Sequence, residues 1–156
     1  MTSPPTDDDV VDALLVASRA LVAVAARSVA GIDDIVTLPQ YRALVILASR
    51  GPRTVGQLAE ALAIHPSTAT RLCDRLVAKH LVDRVQDEGN RRETKISLLA
   101  AGHSIVDKVT KIRRAEIARI VGRIPPGSRR AAVSALNTFA DAAGEIPEQS
   151  WSLGWS

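Results

Sequence analysis

Apolar residues recur every three or four positions over two stretches near the start of the chain. The first stretch follows the aspartates at 7–9 and predicts an α-helix over about 8–30, because acidic side chains in a first turn complement the helix dipole. Gly31 is expected to end this helix. A second helix is predicted to begin around 37–39, where a proline suits the first turn, and to stop at the Gly-Pro pair 51–52.

Two shorter amphipathic segments follow, joined by a tight break. The first covers about 57–62 and is expected to bury Leu58, Ala59 and Leu62. The second, 66–79, begins with a proline, which favours the first position of a helix. Its apolar stripe consists of Ala69, Leu72, Cys73, Leu76 and Val77, and the opposite stripe of Ser67, Thr68, Arg71, Asp74, Arg75 and Ala78. This arrangement is typical of a helix-turn-helix, whose second helix enters the major groove of DNA.

The period of the apolar positions changes to that of β-strands after this motif. Segments 81–86 and 93–98 have strand character, and the polar stretch 87–92 between them contains glycine and asparagine, which suit a turn. A hairpin directly after a helix-turn-helix is a wing. Arg91 and Arg92 would lie at its tip, within reach of a neighbouring minor groove.

Two more helices are predicted, over about 102–123 and 128–143, with an Ile-Pro-Pro-Gly break between them. The sequence therefore predicts a mainly α protein with one small β-hairpin. The length of 156 residues fits a single domain, and the apolar fraction of 46% is enough for a buried core.

Several classes of protein do not fit this sequence. No run of about 18 apolar residues is present, so we expect no transmembrane helix, and the acidic start is unlike a secretory signal. The expected location is cytoplasmic. The single cysteine excludes an internal disulfide, and the three histidines are scattered without partners at ligand spacing. No catalytic motif is recognisable, so we expect no enzyme activity, no cofactor and no metal.

Charge is distributed unevenly along the chain. Acids outnumber bases six to two over 1–37, whereas bases outnumber acids ten to six over 38–96 and eight to two over 97–130. The last segment, 131–156, carries three acids and no base. A basic middle between acidic ends is a candidate polyanion-binding region, although basic residues that coat a solvated helix face would give the same count.

Four segments, 38–44, 54–59, 65–72 and 84–102, resemble the MarR family (multiple-antibiotic-resistance regulators). In this chain the first three read LPQYRAL, TVGQLA and HPSTATRL. The wing differs from the usual family pattern of Asp-x-Arg followed by Leu-Thr, since this chain has Asn90-Arg91-Arg92 and Leu98-Leu99. Asn90 offers only a neutral hydrogen bond, roughly half as strong as a charge-assisted one. Leu99 lacks the hydroxyl that would cap the next helix, a loss of about 1 kcal/mol.

The resemblance covers about 8–145 and implies a winged-helix homodimer that binds a pseudo-palindromic DNA operator, usually as a repressor. Members of this family are often released by small phenolic or lipophilic ligands or by cysteine oxidation. It divides the single domain 1–156 into a DNA-binding winged helix-turn-helix region at about 38–100 and dimerisation helices at 8–36 and 103–145. A tail at 146–156 contains both tryptophans.

The resemblance and the exposed stripe together assign roles on the helix-turn-helix. The expected readers of the major groove are Ser67, Thr68, Thr70 and Arg71. Arg71 is the best candidate for a bidentate guanine contact, which contributes about 1–3 kcal/mol of discrimination. Arg53 and Thr54 are expected to anchor a phosphate, and Arg75 and Lys79 to contact phosphates or remain free charges. Asp74 is expected to hold Arg71 or Arg75, its neighbours on the helix.

The wing is expected to place Arg92 in the minor groove, with Arg91 and Arg84 near the DNA backbone and Asn90 in the supporting turn. A small-molecule effector is expected to bind between the dimer helices and the winged region, against Leu15, Arg19, Tyr41 and Val45. The alternative is a dimeric winged-helix protein that makes only protein contacts and binds DNA without sequence preference.

Two further features invite interpretation. Cys73 suggests a redox sensor, but it lies on the apolar stripe and the chain has no second cysteine, so a buried, inert thiol is the favoured reading. Trp151 and Trp155 are half of the four aromatic residues and lie in the last six positions. We expect them to pack against the partner subunit or to cover part of an effector cavity, the alternative being a crystal contact.

Overall fold

The computed structural model describes residues 4–32 and 34–147. Six helices and two strands follow one another along this part of the chain, as the sequence predicts. They are α1 (Asp7–Ala30), α2 (Leu38–Arg50), α3 (Val55–Leu62), α4 (Pro66–Ala78), β1 (Val82–Gln86), β2 (Thr94–Leu98), α5 (Ala100–Val121) and α6 (Pro126–Ala142). The tail with Trp151 and Trp155 lies outside the described residues.

Threonine side chains fix where the first three helices begin. Thr6, Thr37 and Thr54 each accept a hydrogen bond from the backbone N–H three residues later, and the side chain of that later residue accepts from the threonine N–H. For α3 this capping box sets the start at Val55. The predicted start at 57 was therefore two residues late, because Gly56 is tolerated once the cap is in place.

The last two helices begin without such caps. Leu99 precedes α5 and makes no side-chain cap bond, as its missing hydroxyl predicts. The predicted start of α5 at Gly102 was late, since the helix begins at Ala100. The start of α6 is Pro126 rather than 128, because proline at the first helical position loses no intrahelical hydrogen bond.

The core lies where α2, α3, α4, the hairpin and the first half of α5 meet. Its largest fully buried side chains include Leu44, Leu58, Leu76 and Ile96. The predicted inward faces of α3 and α4 are confirmed, apart from Val77, which is half-buried.

The hairpin is antiparallel, with Val82 opposite Leu98 and Gln86 opposite Thr94. The backbone of Arg53 extends it on the other side of β2. The Arg53 N–H donates to Ile96 O at 3.1 Å, and the Ile96 N–H donates to Arg53 O at 2.7 Å. The segment that leads into α3 is thereby bonded directly to the wing.

Large apolar side chains stay exposed on α1 and α6. The second half of α1 packs on α5, where an Arg27–Glu116 ion pair of 2.9 Å joins the two helices. The first half of α1 does not share this burial, and α6 has no buried residue. The exposed apolar residues of the two helices are Val10, Val11, Leu15, Val16, Leu21, Val22, Val133, Leu136 and Phe139. Among the described residues no helix is both long enough and apolar enough to span a membrane.

Candidate nucleic-acid interface

The turn between α3 and α4 is set by residues 63–66. Ala63 takes a left-handed conformation (φ 54°), and its N–H donates to the carbonyls of Ala59 and Glu60 at the end of α3. His65 then caps α4, because its Nδ1 accepts from the Ser67 N–H at 3.2 Å. This role of His65 was not predicted from the sequence. The signal for it was the position of His65 immediately before a proline at the start of a helix.

One exposed edge of α4 consists of Ser67, Thr68, Thr70 and Arg71. The stripe predicted three of these residues, and the family resemblance added Thr70. Two of its hydroxyls are already held by the protein. Ser67 Oγ lies 2.8 Å from His65 Nδ1, and Thr70 Oγ1 donates to Pro66 O at 3.0 Å. Within residues 4–32 and 34–147, no protein group bonds the Arg71 guanidinium. This α4 edge therefore presents fixed hydroxyl oxygens beside an unpaired cation.

The role predicted for Asp74 was wrong. Its carboxylate pairs with the guanidinium of Arg84 on β1, and not with Arg71 or Arg75 on its own helix. Both side chains of the pair are about half exposed, so the contact adds little stability, on the order of 0–1 kcal/mol. What it does is join α4 to the first strand of the wing. Arg84 is consequently less available to a DNA backbone than predicted.

Lys79, predicted to be a phosphate contact or a free charge, is exposed, but its ammonium group is not free. Its Nζ donates to the carbonyl of Ile35 and, at 3.1 Å, to Oε1 of Gln40. Gln40 is buried, and the same oxygen accepts from the Thr37 N–H in the capping box of α2. The end of α4 is therefore attached to the connection between α1 and α2.

A shallow cleft of about 200 Å³ separates the start of α2 from α4. It is lined by Thr37, Pro39, Gln40, Thr68, Arg71, Leu72 and Arg75. Two arginines thus line the cleft together with the N-terminal residues of a 13-residue helix, whose dipole is positive at that end. The electrostatics of the cleft favour an anion.

The wing turn is held by its own polar groups. Asn90 Oδ1 accepts from the Arg92 N–H at 3.2 Å, so this side chain supports the turn backbone. Lys95 pairs with Asp87 across the hairpin at 3.1 Å. Arg91 and Arg92 are both exposed, and in the described part of the chain neither guanidinium has a partner.

Cys73 lies on the inward face of α4 and is fully buried in the core. Burial raises the pKa of its thiol; nearby Arg84 acts in the opposite direction and Asp74 in the same direction. A buried thiol with a raised pKa carries little of the reactive thiolate. The geometry agrees with the inert reading.

A larger cavity of about 430 Å³ lies between α1, α2 and α5, and we call it the α1–α2 cavity. Its lining is Val22, Ala25, Ala26, Leu38, Tyr41, Arg42, Val45, Ile46, Ser49, Arg50, Ala61, Arg113 and Glu145. Arg113 Cζ lies 5.7 Å from the centre of the Tyr41 ring, and Arg113 Nε is buried with no hydrogen-bond partner in the described part of the chain. Of the four predicted effector contacts the structure brings Tyr41 and Val45 together here. Leu15 and Arg19 are exposed nearer the start of α1 and do not line the cavity.

Known proteins share this architecture. The model of the MarR family matches residues 36–94, the segment from the start of α2 to the start of β2. Over almost its whole length the chain resembles RV1404 from Mycobacterium tuberculosis, with 43% identity and a TM-score of 0.82, covering 93% of this chain and 99% of that one. The chain belongs to the MarR family. Its fold is the winged helix of that family.

Other relatives agree. A MarR family protein from Bacillus stearothermophilus is 26% identical with a TM-score of 0.75, over 90% of this chain and 100% of that protein. The chain is also similar to the helix-turn-helix transcriptional repressor NicR of Pseudomonas putida, 28% identical over 70% of this chain and 69% of that protein. For other curated relatives the match spans about half of their length. The curated relatives are named as helix-turn-helix transcriptional regulators or repressors.

Proposed function

We propose that this MarR family regulator is a repressor that binds a pseudo-palindromic DNA operator as a homodimer. The α4 edge carries the proposal, because it presents Ser67, Thr68 and the unpaired Arg71 on the second helix of a helix-turn-helix. Two such helices in a dimer would enter successive major grooves about 34 Å apart. The likeness to a named repressor supports repression as the outcome.

Contacts to bases and contacts to phosphates divide among these residues. Arg71 is proposed to bind guanine, with Thr68, Ser67 and Thr70 reading adjacent positions through their oxygens and methyl groups. Arg75 is proposed to hold a phosphate in the cleft at the start of α2, where the helix dipole assists it. Thr54 caps the N-terminus of α3, which together with Arg53 forms a second phosphate anchor.

The wing-tip arginines are proposed to bind beside these grooves. Arg92 enters the minor groove and Arg91 binds the backbone, since both are exposed and unpaired in the described chain. Asn90 acts indirectly by holding the turn, and Arg84 by positioning α4 through Asp74.

The dimer is proposed to form through the exposed apolar residues of α1 and α6. A helix that buries none of its residues against its own chain needs another surface for Val133, Leu136 and Phe139. A second copy of the chain supplies matching faces, because a two-fold interface uses the same surface from each subunit.

The α1–α2 cavity is proposed to receive a small aromatic or phenolic effector. Its apolar walls suit a ring, and the buried Arg113 Nε–H offers a donor that has no acceptor among the described residues. Tyr41 and Val45 are proposed to contact the ring, whereas Leu15 and Arg19 would take part only from a partner subunit. Effector binding would alter the separation of the two α4 helices and so release the operator.

Fluorescence anisotropy tests the DNA-binding proposal. The full chain is titrated with labelled DNA from upstream of its own gene and with scrambled DNA of the same length, at two salt concentrations. Tight, sequence-dependent binding that weakens steeply with salt is expected. A random-sequence selection library covers the case of a distant operator. If no sequence is enriched and binding stays weak, the protein-contact alternative replaces this proposal.

A further inference from the structure

The chain leaves α6 at the mouth of the α1–α2 cavity. Glu145 forms part of the cavity lining, and Arg50 Nη2, from another lining residue, donates to Gly144 O at 3.5 Å. Ile146 is half-buried. The nine residues 148–156 that follow can extend about 30 Å, more than the cavity requires. Their attachment beside the cavity also gives them a high effective concentration there.

The composition of 149–156 is unusual for a segment next to solvent. It contains no charged residue, and Trp151, Leu153 and Trp155 alternate with serine and glycine. In an extended conformation residues two apart share one face, so the three apolar side chains would point the same way. Exposed residues are mostly polar, whereas tryptophan and leucine are normally largely buried.

The cavity has what such a segment needs. Its volume of about 430 Å³ accommodates an indole ring, and Val22, Leu38 and Val45 provide apolar contacts. The Arg113 guanidinium lies over the ring of Tyr41, and a second aromatic ring beside it would add another cation–π contact. An extended backbone also supplies carbonyl oxygens, the acceptor that the buried Arg113 Nε–H lacks.

From these observations we propose that the segment 148–156 folds back and inserts a tryptophan into the α1–α2 cavity of its own chain. The tail is then an internal occupant of the site that the proposed function gives to an effector, and a small aromatic molecule must displace it to bind. Regulation of that site rests on the proposed function, but the docking itself does not. Its test uses no DNA, so failure of one proposal is distinguishable from failure of the other.

Tryptophan fluorescence tests the docking directly, because both tryptophans of the chain lie in this segment. In the full-length protein we expect emission at shorter wavelength than that of free N-acetyltryptophanamide, and weak quenching by iodide. Val45→Glu, on the cavity wall, is expected to shift the emission to longer wavelength and to raise the quenching constant towards that of the free compound. Val85→Glu, on an exposed part of β1, is the matched control and is expected to change neither.

Further variants keep the test decisive. Thermal melting establishes that Val45→Glu is folded; if it is not, Arg113→Gln removes the cation without introducing a charge into the cavity. Trp151→Ser and Trp155→Ser identify the docked ring, since each leaves a single reporter. Deletion of 149–156 is expected to increase binding of the dye anilinonaphthalene sulfonate, and a cavity variant is expected to abolish that increase.

Two outcomes would overturn the proposal. Solvent-like emission and full quenching in the unmodified protein would show that neither tryptophan is docked. Shielded emission that is unchanged in both cavity variants would show that the segment packs on another surface, such as the partner subunit.

Discussion

Replacing Gly102 by alanine is expected to destabilise the protein, although alanine is normally the better helix former. Gly102 lies in the first turn of α5, and a Cβ built there would overlap Leu81 O and lie 2.5 Å from Leu98 Cδ1. The leucine methyl can rotate away. The backbone carbonyl cannot, because it accepts the Leu99 N–H at 3.0 Å at the base of the hairpin. The substitution therefore has to move the junction between wing and helix.

The expected size of the effect follows from three contributions. Alanine in place of glycine in a helix gains about 0.5–1 kcal/mol. Overpacking against a fixed group costs about 1–3 kcal/mol, and weakening the Leu99–Leu81 hydrogen bond costs about 0.5–1.5 kcal/mol. The net loss in free energy of unfolding is then about 0.5–4 kcal/mol. Each kcal/mol lowers Tm by about 2–4 °C in a chain of this size.

Gly56→Ala is the matched control. Gly56 also lies in a first turn, that of α3, and the nearest atom to its added Cβ would be Thr54 Oγ1 at 3.8 Å, an ordinary contact. This variant is expected to be neutral or stabilised by up to about 1 kcal/mol. Thermal and urea unfolding at a fixed protein concentration measure both. The reasoning is refuted if Gly102→Ala is as stable as the unmodified protein, or if Gly56→Ala loses as much.

The other predictions concern DNA, thiol chemistry and pH. Arg92→Ala is expected to weaken operator binding and, with two copies in the dimer, to reduce the salt slope by about 1.8; unchanged affinity and slope would contradict a phosphate or minor-groove role. Cys73 is expected to react with Ellman's reagent much more slowly in the native protein than in denaturant, because burial shields the thiol and raises its pKa, and a fast native reaction would contradict this. The pKa of Asp9 is lowered by its side-chain and backbone hydrogen bonds with Thr6. Its contribution to α1 is therefore present above the unfolded pKa and is lost as pH falls through the lower folded value; in an NMR titration Thr6→Ala should return the Asp9 pKa towards 3.8.

The sequence predicted the elements well because each depends on neighbouring residues. Apolar periodicity located the six helices of the described residues, and the change of period located the hairpin. Errors were confined to element ends, where a single cap decides the boundary. The cap formed by Thr54 makes α3 begin two residues earlier than predicted. Leu99 has no capping hydroxyl, so no side chain near it marked the start of α5 in the sequence.

Side-chain partners were predicted less well, because they depend on residues distant in sequence. Asp74 has arginines at helical spacing, and local reasoning paired it with them. The fold instead places Arg84, ten residues away, closer to its carboxylate. Lys79 pairs with Gln40, 39 residues earlier, which no local pattern indicates. Two of the four cavity residues, Leu15 and Arg19, were misplaced for the same reason. Only the packing of α1 on α5 shows that the α1 residues of the cavity wall begin at Val22.

These two long-range contacts give α4 a defined position from both directions. Arg84 holds its exposed side to the wing, and the Lys79 ammonium holds its end to Ile35 O, in the connection that leads from α1 into α2. The same α1 and α2 form two walls of the α1–α2 cavity. A molecule or tail that spreads those helices must therefore either carry the Ile35 carbonyl with them, pulling on α4, or break its bond to Lys79. In both cases the orientation of α4 changes without any contact between the occupant and DNA. Lys79→Gln should therefore have a small effect on operator affinity when the cavity is empty. It should have a larger effect on the change in operator affinity that cavity occupancy causes.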